Sequence, residues 1–146
     1  VLRYVICLVG LSLVGSRVLA QQPAPAGMSL AEAASRRFPE PVLVGSLAGR
    51  QVLQPLESQP TLGWVRGVVR LASGEIDVVV DYGGLFGWFA RPIAVPVDGM
   101  VLLGRDMEIV DFTPAQLDRF KTFDPAGTTQ VAQDSMIRVG LARPSH

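Results

Sequence analysis

Between positions 42 and 112 the chain alternates short β-branched runs with glycine, proline and small polar residues. That is the pattern of strands punctuated by turns, not of helices. The spacing predicts strands over 42–47, 50–54, 62–72, 75–82, 91–96 and 106–112, with a short apolar run at 100–103. No helix-period stretch long enough for a crossover separates them, which argues against parallel βαβ units. The expected fold is all-β: a small antiparallel β-barrel of about six strands with a short C-terminal helix.

The clearest piece is the hairpin over 62–82, with Ser73-Gly74 as its turn signal. A two-residue turn there sets Leu71 opposite Ile76, Val69 opposite Val78, Gly67 opposite Val80 and Val65 opposite Tyr82 as one apolar face. On the other face it sets Arg70 against Asp77 and Arg66 against Asp81, pairs worth roughly 0.2–1 kcal/mol each. Gly67 in mid-strand marks a bend or a close neighbour. After the last strand, Thr113-Pro114-Ala115-Gln116-Leu117 carries an N-cap, a proline at the first helical position and capping-box spacing, with Phe112 and Leu117 as the hydrophobic staple. The helix is expected to run to about residue 120–123, ahead of Asp124-Pro125. Beyond it, 124–146 reads as a C-terminal extension in which Ile137, Val139 and Leu141 alternate as a candidate edge strand.

The N-terminal part is organised differently. Residues 1–20 read as a secretory signal peptide: Arg3, an apolar run from Tyr4 to Gly15, then Val18-Leu19-Ala20 as the cleavage site. The competing reading, an uncleaved anchor, is disfavoured because the run stops at Arg17, short of the ~20 apolar residues a span needs. Residues 21–41 read as a linker of Gln, Pro and Ala, with Ser29-Leu30-Ala31-Glu32 spaced as a capping box for one short helix. The expected location is therefore periplasmic or secreted, cut after Ala20. Cleavage removes Arg3, Arg17 and Cys7, leaving a slightly acidic chain without cysteine that must hold together by its core alone.

Composition narrows the chemistry. Apolar residues make up 49% and charged residues 18%, too apolar for a solvated disordered chain. The 13 basic and 13 acidic residues balance, so nothing advertises nucleic acid. A single Cys and a single His, the terminal His146, supply neither a zinc site nor a nucleophile–base pair. Asp106, Glu108 and Asp111 lack the spacing of a calcium loop. Glu75, Asp77 and Asp81 share a strand face, which the opposing arginines explain as solvated ion pairs. No catalytic, cofactor-binding or metal-binding residue is assigned. The most unusual segment is Tyr82-Gly83-Gly84-Leu85-Phe86-Gly87-Trp88-Phe89, which lacks the Gly-Lys-Ser/Thr of a phosphate loop. Two readings of it are open: a wide connection whose rings plug the barrel end, or a binding loop in which Phe86, Trp88 and Phe89, with Arg91 beside them, contact a partner.

In this setting Leu43-Val44-Gly45, Gln51-Val52-Leu53 and Leu62-Gly63-Trp64-Val65-Arg66-Gly67-Val68-Val69 carry a family likeness. The loop Gly83-Gly84-Leu85-Phe86-Gly87, then Ile93-Ala94-Val95-Pro96-Val97-Asp98 and Thr113-Pro114-Ala115-Gln116-Leu117, continue it in order. Over 42–123 the sequence resembles the PRC-barrel family, the small barrel of the photosynthetic reaction-centre H subunit and of the ribosome maturation factor. The resemblance implies a scaffold or partner-binding module without a shared catalytic site, so no catalytic residue carries over. The expectation is a non-enzymatic, exported interaction module without cofactor. Its partner would be a protein, with no nucleic acid and no membrane span after cleavage, and homo-oligomers are compatible with it. A small-ligand or hydrolytic domain with its site at the barrel mouth is the alternative, as is an accessory protein of a photosynthetic or electron-transfer complex.

Overall fold

The computed structural model describes residues 29–30, 32, 37–85 and 88–142. The expected signal peptide, most of the linker, Phe86 and His146 lie outside the described residues. The capping box expected in the linker is present, with Ser29 N–H donating to Glu32 Oε2 at 3.0 Å and Glu32 N–H to Ser29 Oγ at 3.2 Å. The protein is mostly β, built on one sheet. Its strands are β1 (Pro39–Leu43), β2 (Gln51–Leu53), β3 (Thr61–Leu71), β4 (Ile76–Tyr82), β5 (Arg91–Pro96), β6 (Met100–Leu103), β7 (Asp106–Ile109), β8 (Thr128–Gln130) and β9 (Met136–Leu141). One short helix, α1 (Pro114–Leu117), follows β7.

The strands run in the order β1-β9-β6-β7-β2-β3-β4-β5, and β8 pairs with β3 off this path. The sheet curls around a single core that draws Val42 from one end of the order and Ile93 and Val95 from the other, together with Val52, Val65, Val78, Met107 and Val139. It does not close, because β1 and β5 at the two ends do not pair. This is a small, barrel-like all-β fold. Two pairings are parallel, β2 with β7 and β6 with β9. The strands in each pair are distant in sequence, so they join without the helical crossover that a local parallel unit needs. The segment read as an extension beyond residue 123 belongs to the same sheet. Strand β9 lies between β1 and β6 instead of at the edge, and buries Ile137 and Val139.

The central hairpin forms in a different register from the expected one. Gly74 N–H donates to the Leu71 carbonyl at 2.9 Å and Leu71 N–H to the Glu75 carbonyl at 2.8 Å. Ala72, Ser73 and Gly74 therefore make a three-residue turn, with Gly74 at a φ of 92°. Such a turn, with glycine left-handed in its last position, is a common hairpin solution and shifts the pairing by one residue. Arg70 faces Ile76, Val69 faces Asp77 and Val68 faces Val78, so the expected Arg70–Asp77 pair is not made. A bulge then inserts Arg66 between the Val65–Val80 and Gly67–Val79 pairs. Because it changes the parity of the strand, Val65 and Val68 both reach the core while Val69 turns to the outer face. Arg66 still meets Asp81, at 2.7 Å.

The expected cap on α1 is present. Thr113 Oγ1 accepts from Gln116 N–H at 3.3 Å, and Thr113 N–H donates to the Gln116 side chain at 2.8 Å. The helix is one turn long instead of reaching residue 120–123, since a half-buried arginine (below) takes the carbonyls that a continuing helix would use. Phe112 and Phe120 meet edge to face at 5.2 Å. At the N-terminal entry, Arg37 grips the Asp111 carboxylate with two bonds of 2.9 and 2.8 Å and the Asp98 carbonyl at 2.7 Å.

Two glycines of β3 divide by what surrounds them. A β-carbon on Gly63 would stand inside the van der Waals envelope of the Asp81 carbonyl oxygen and 2.9 Å from its carbon, whereas one on Gly67 would touch nothing within 4 Å. Gly63→Ala is therefore expected to destabilise the fold by about 3 kcal/mol or more, as backbone-shifting overpacking does. Gly67→Ala is expected to change stability by less than about 1 kcal/mol. Urea denaturation of the two variants side by side checks the contrast.

Candidate functional site

Strand β4 ends where β3 begins, so the loops 54–60 and 83–90 emerge at the same end of the sheet, and Gly83 N–H donates to the Leu62 carbonyl at 2.9 Å. The second loop is built for a sharp reversal. Gly83 and Gly84 hold φ of 73° and 78°, and a β-carbon on Gly84 would lie 2.7 Å from the Ala90 nitrogen as the chain returns. Leu85 and Trp88 exchange backbone bonds in both directions at 2.9 Å, closing a narrow tip. Phe89 stands at a φ of 63°, a conformation costly for a large side chain.

This geometry sends apolar side chains outward. Leu85 is 70% exposed, Trp88 72% and Phe89 92%, and Leu56 of the neighbouring loop is also exposed. Trp88 and Phe89 do not plug the barrel, whose interior is filled by aliphatic residues. Phe86 lies outside the described residues.

Arg91, expected beside the aromatics as a contact residue, faces the other way. Its guanidinium donates to the carbonyls of Phe120, Leu117 (3.4 Å) and Asp118 (3.3 Å), closing the C-terminal end of α1. A carbonyl target of this kind leaves no trace in the residue types, so the sequence could not reveal it. Tyr82 reinforces the junction: its hydroxyl donates to Asp118 Oδ1 at 2.7 Å, and its pKa is pushed up to about 12, first by burial and then by that carboxylate. The loop thus rests on a rigid base of β4, β5 and α1.

The outer face of β3 and β4 carries a second feature that the sequence did not disclose. A groove of about 210 Å³ is lined by Gly67, Val69 and Val79, with Phe123, Pro125 and Thr128 along its other wall and Arg66 at one end. On the same face of β4, Asp77 is only 8% exposed and makes no hydrogen bond or ion pair among the described residues. Burial first, and Glu75 second, raise its pKa above the ordinary 3.8. Among the described residues no group of three His, Cys, Asp or Glu is placed to hold a metal ion, and no helix is long and apolar enough to cross a membrane. The chain matches no known protein family and no curated protein.

Two outcomes follow. Trp88→Ala is expected to leave stability within about 0.5 kcal/mol of wild type, as exposed positions do, while Arg91→Met costs about 1–3 kcal/mol by orphaning the α1 carbonyls. Thermal and urea unfolding check both. Because the folded-state pKa of Asp77 is raised, its proton is held more tightly in the folded chain than in the unfolded one. Stability from this group is therefore full below pH 3.8 and is lost as pH rises through the folded value. Asp77→Asn is expected to be more stable than wild type at pH 7, with the gap closing below pH 3.8, as read from unfolding curves at a series of pH values.

Proposed function

We propose that this chain is an exported interaction module of the bacterial periplasm or envelope, a PRC-barrel-like scaffold that engages a protein partner through the tip of the loop 83–90. The observation that carries the reading is the outward display of Leu85, Trp88 and Phe89 on a loop locked by paired backbone bonds. Contiguous apolar side chains held in water by a folded backbone mark contact surfaces, and tryptophan is prominent among interface hot spots. Preorganisation adds to this: the paired backbone bonds between Leu85 and Trp88 set these two residues in advance, which lowers the ordering cost of binding. Arg91 serves the same surface from behind by fixing the base of the loop.

The aliphatic interior weighs against a hydrolytic or ligand-binding site at the barrel mouth. An enzyme of this shape needs several polar side chains converging inward, and the described core consists of Val, Leu, Ile and Met.

The test uses the purified chain with a photo-crosslinking residue at position 85, irradiated in an envelope extract from the source bacterium. Discrete adducts are expected, and they should be lost in a Trp88→Ala/Phe89→Ala variant that retains the wild-type unfolding curve. Loss of a hot-spot tryptophan typically weakens binding by about 2 kcal/mol, near thirtyfold. Adducts that persist in the double variant would refute the loop as the contact.

A further inference from the structure

The outer-face groove is separate from the loop 83–90, and its walls are held in place without a ligand. Its floor is Val69 and Val79, both buried yet outside the main core cluster. Gly67 stands directly opposite Val79, and a β-carbon there would meet nothing within 4 Å, so the groove is open at that point. Phe123, in the far wall, is fixed by its N–H to the Pro92 carbonyl at 2.7 Å. Thr128 donates its N–H (3.1 Å) and its hydroxyl (2.8 Å) to the Pro125 carbonyl, so its donors are spent within the wall.

Among the described residues, one charged side chain lines the groove, Arg66. Its Nη2 lies 2.7 Å from Asp81 Oδ1, which balances the charge and anchors the guanidinium. A guanidinium carries five N–H donors, and Arg66 has no further partner among the described residues. The groove therefore offers apolar surface along its length and, at one end, hydrogen-bond donors whose charge is already matched.

We propose that this groove binds a small neutral molecule, a compact apolar body carrying one carbonyl acceptor. The apolar body would cover Val69 and Val79 against Phe123, and the carbonyl would accept from Arg66. The volume of about 210 Å³ exceeds the roughly 150 Å³ of a dry apolar cavity that holds benzene, which leaves room for a ring with a short substituent. Charge selects against the other classes. An anion would reach Arg66 beside a carboxylate that already balances it, and a cation would meet an arginine as the charged group of the lining. A plain hydrocarbon would fill the space but displace water from the free donors without replacing its hydrogen bonds.

The probe is acetophenone, titrated into the purified full chain at neutral pH and followed by amide and methyl chemical shifts. Ethylbenzene, benzoate and benzylammonium serve as controls of similar size. Acetophenone is expected to shift Val69, Val79 and Thr128 and to bind about tenfold more tightly than ethylbenzene, the advantage of a bond from a charged donor. Arg66→Met/Asp81→Leu, which removes the donors and their counterion together and strands no carboxylate, should erase that preference while ethylbenzene still binds. Gly67→Val, which enters open space, should abolish binding of both compounds. Tighter binding of benzoate or benzylammonium would overturn the neutral assignment, and equal binding of ethylbenzene to the wild-type chain would overturn the role of Arg66. Binding indifferent to Gly67→Val, or no saturable acetophenone binding at all, would overturn the site itself.

Discussion

One extra residue in β3 sets the geometry of this molecule. The strand has three neighbours, β2 along its first half, β8 along its second and β4 throughout, and it must feed a core on one side and a covered face on the other. Strict alternation cannot do both with the sequence Val65-Arg66-Gly67-Val68-Val69, since it would leave Val68 on the wrong face. The bulge at Arg66 resets the parity, so that Val65 and Val68 enter the core and Gly67 and Val69 form the floor of the outer groove. It also throws Arg66 outward onto Asp81. Core packing, the outer groove and the ion pair at its end are consequences of the same local insertion.

The sheet curls enough to share one core but stops short of closing, and its two end strands are built to discourage further pairing. Strand β1 carries Pro39 and Pro41, and β5 carries Pro92 and Pro96. In each strand the prolines share one parity, so they remove N–H groups from one edge of the backbone. The inward ladder needs donors, so the donor-poor edge is the outer one. The Pro92 carbonyl on that side is taken by Phe123 N–H at 2.7 Å. An open edge with few free donors is a poor template for another strand. Closure of the sheet and strand-by-strand self-association are discouraged by the same residues.

The strands from β2 to β7 were legible in the sequence because β-branched runs and turn residues report local preference directly. The first was misplaced, since the run expected over 42–47 is strand only to Leu43 and then a 3-10 turn over Val44–Ser46, while β1 begins at Pro39 in the expected linker. The Thr113 cap was legible for the same reason. The hairpin register was not, because Ser73-Gly74 suits either a two-residue or a three-residue turn, and only the pairing partner decides. Gly67 signalled a bend without saying that it would move Arg66. Strand β8 is Thr-Thr-Gln, with no apolar alternation, and exists because β3 leaves half an edge unpaired. The crowding of Trp88 and Phe89 was visible, and their exposure followed from the glycines before them. Asp77 was hidden by a plausible error, since the shorter turn supplied it with Arg70 as a partner.

The two unusual surfaces differ in what they cost the fold. Trp88 and Phe89 are exposed in the unfolded chain as well, so leaving them exposed forfeits burial energy without subtracting from stability. The only real expense is the left-handed backbone at Phe89, of order 1–3 kcal/mol. Asp77 is a different case. Its carboxyl is hydrated when the chain is unfolded and loses part of that hydration on folding, with no donor among the described residues in return. The penalty therefore falls on the folded state alone and recurs at every pH where the group is charged. Hydrophobic exposure at a loop tip is cheap and needs only a partner to make it useful. A partly desolvated carboxylate without a donor among the described residues is expensive, because its cost falls on the folded state alone.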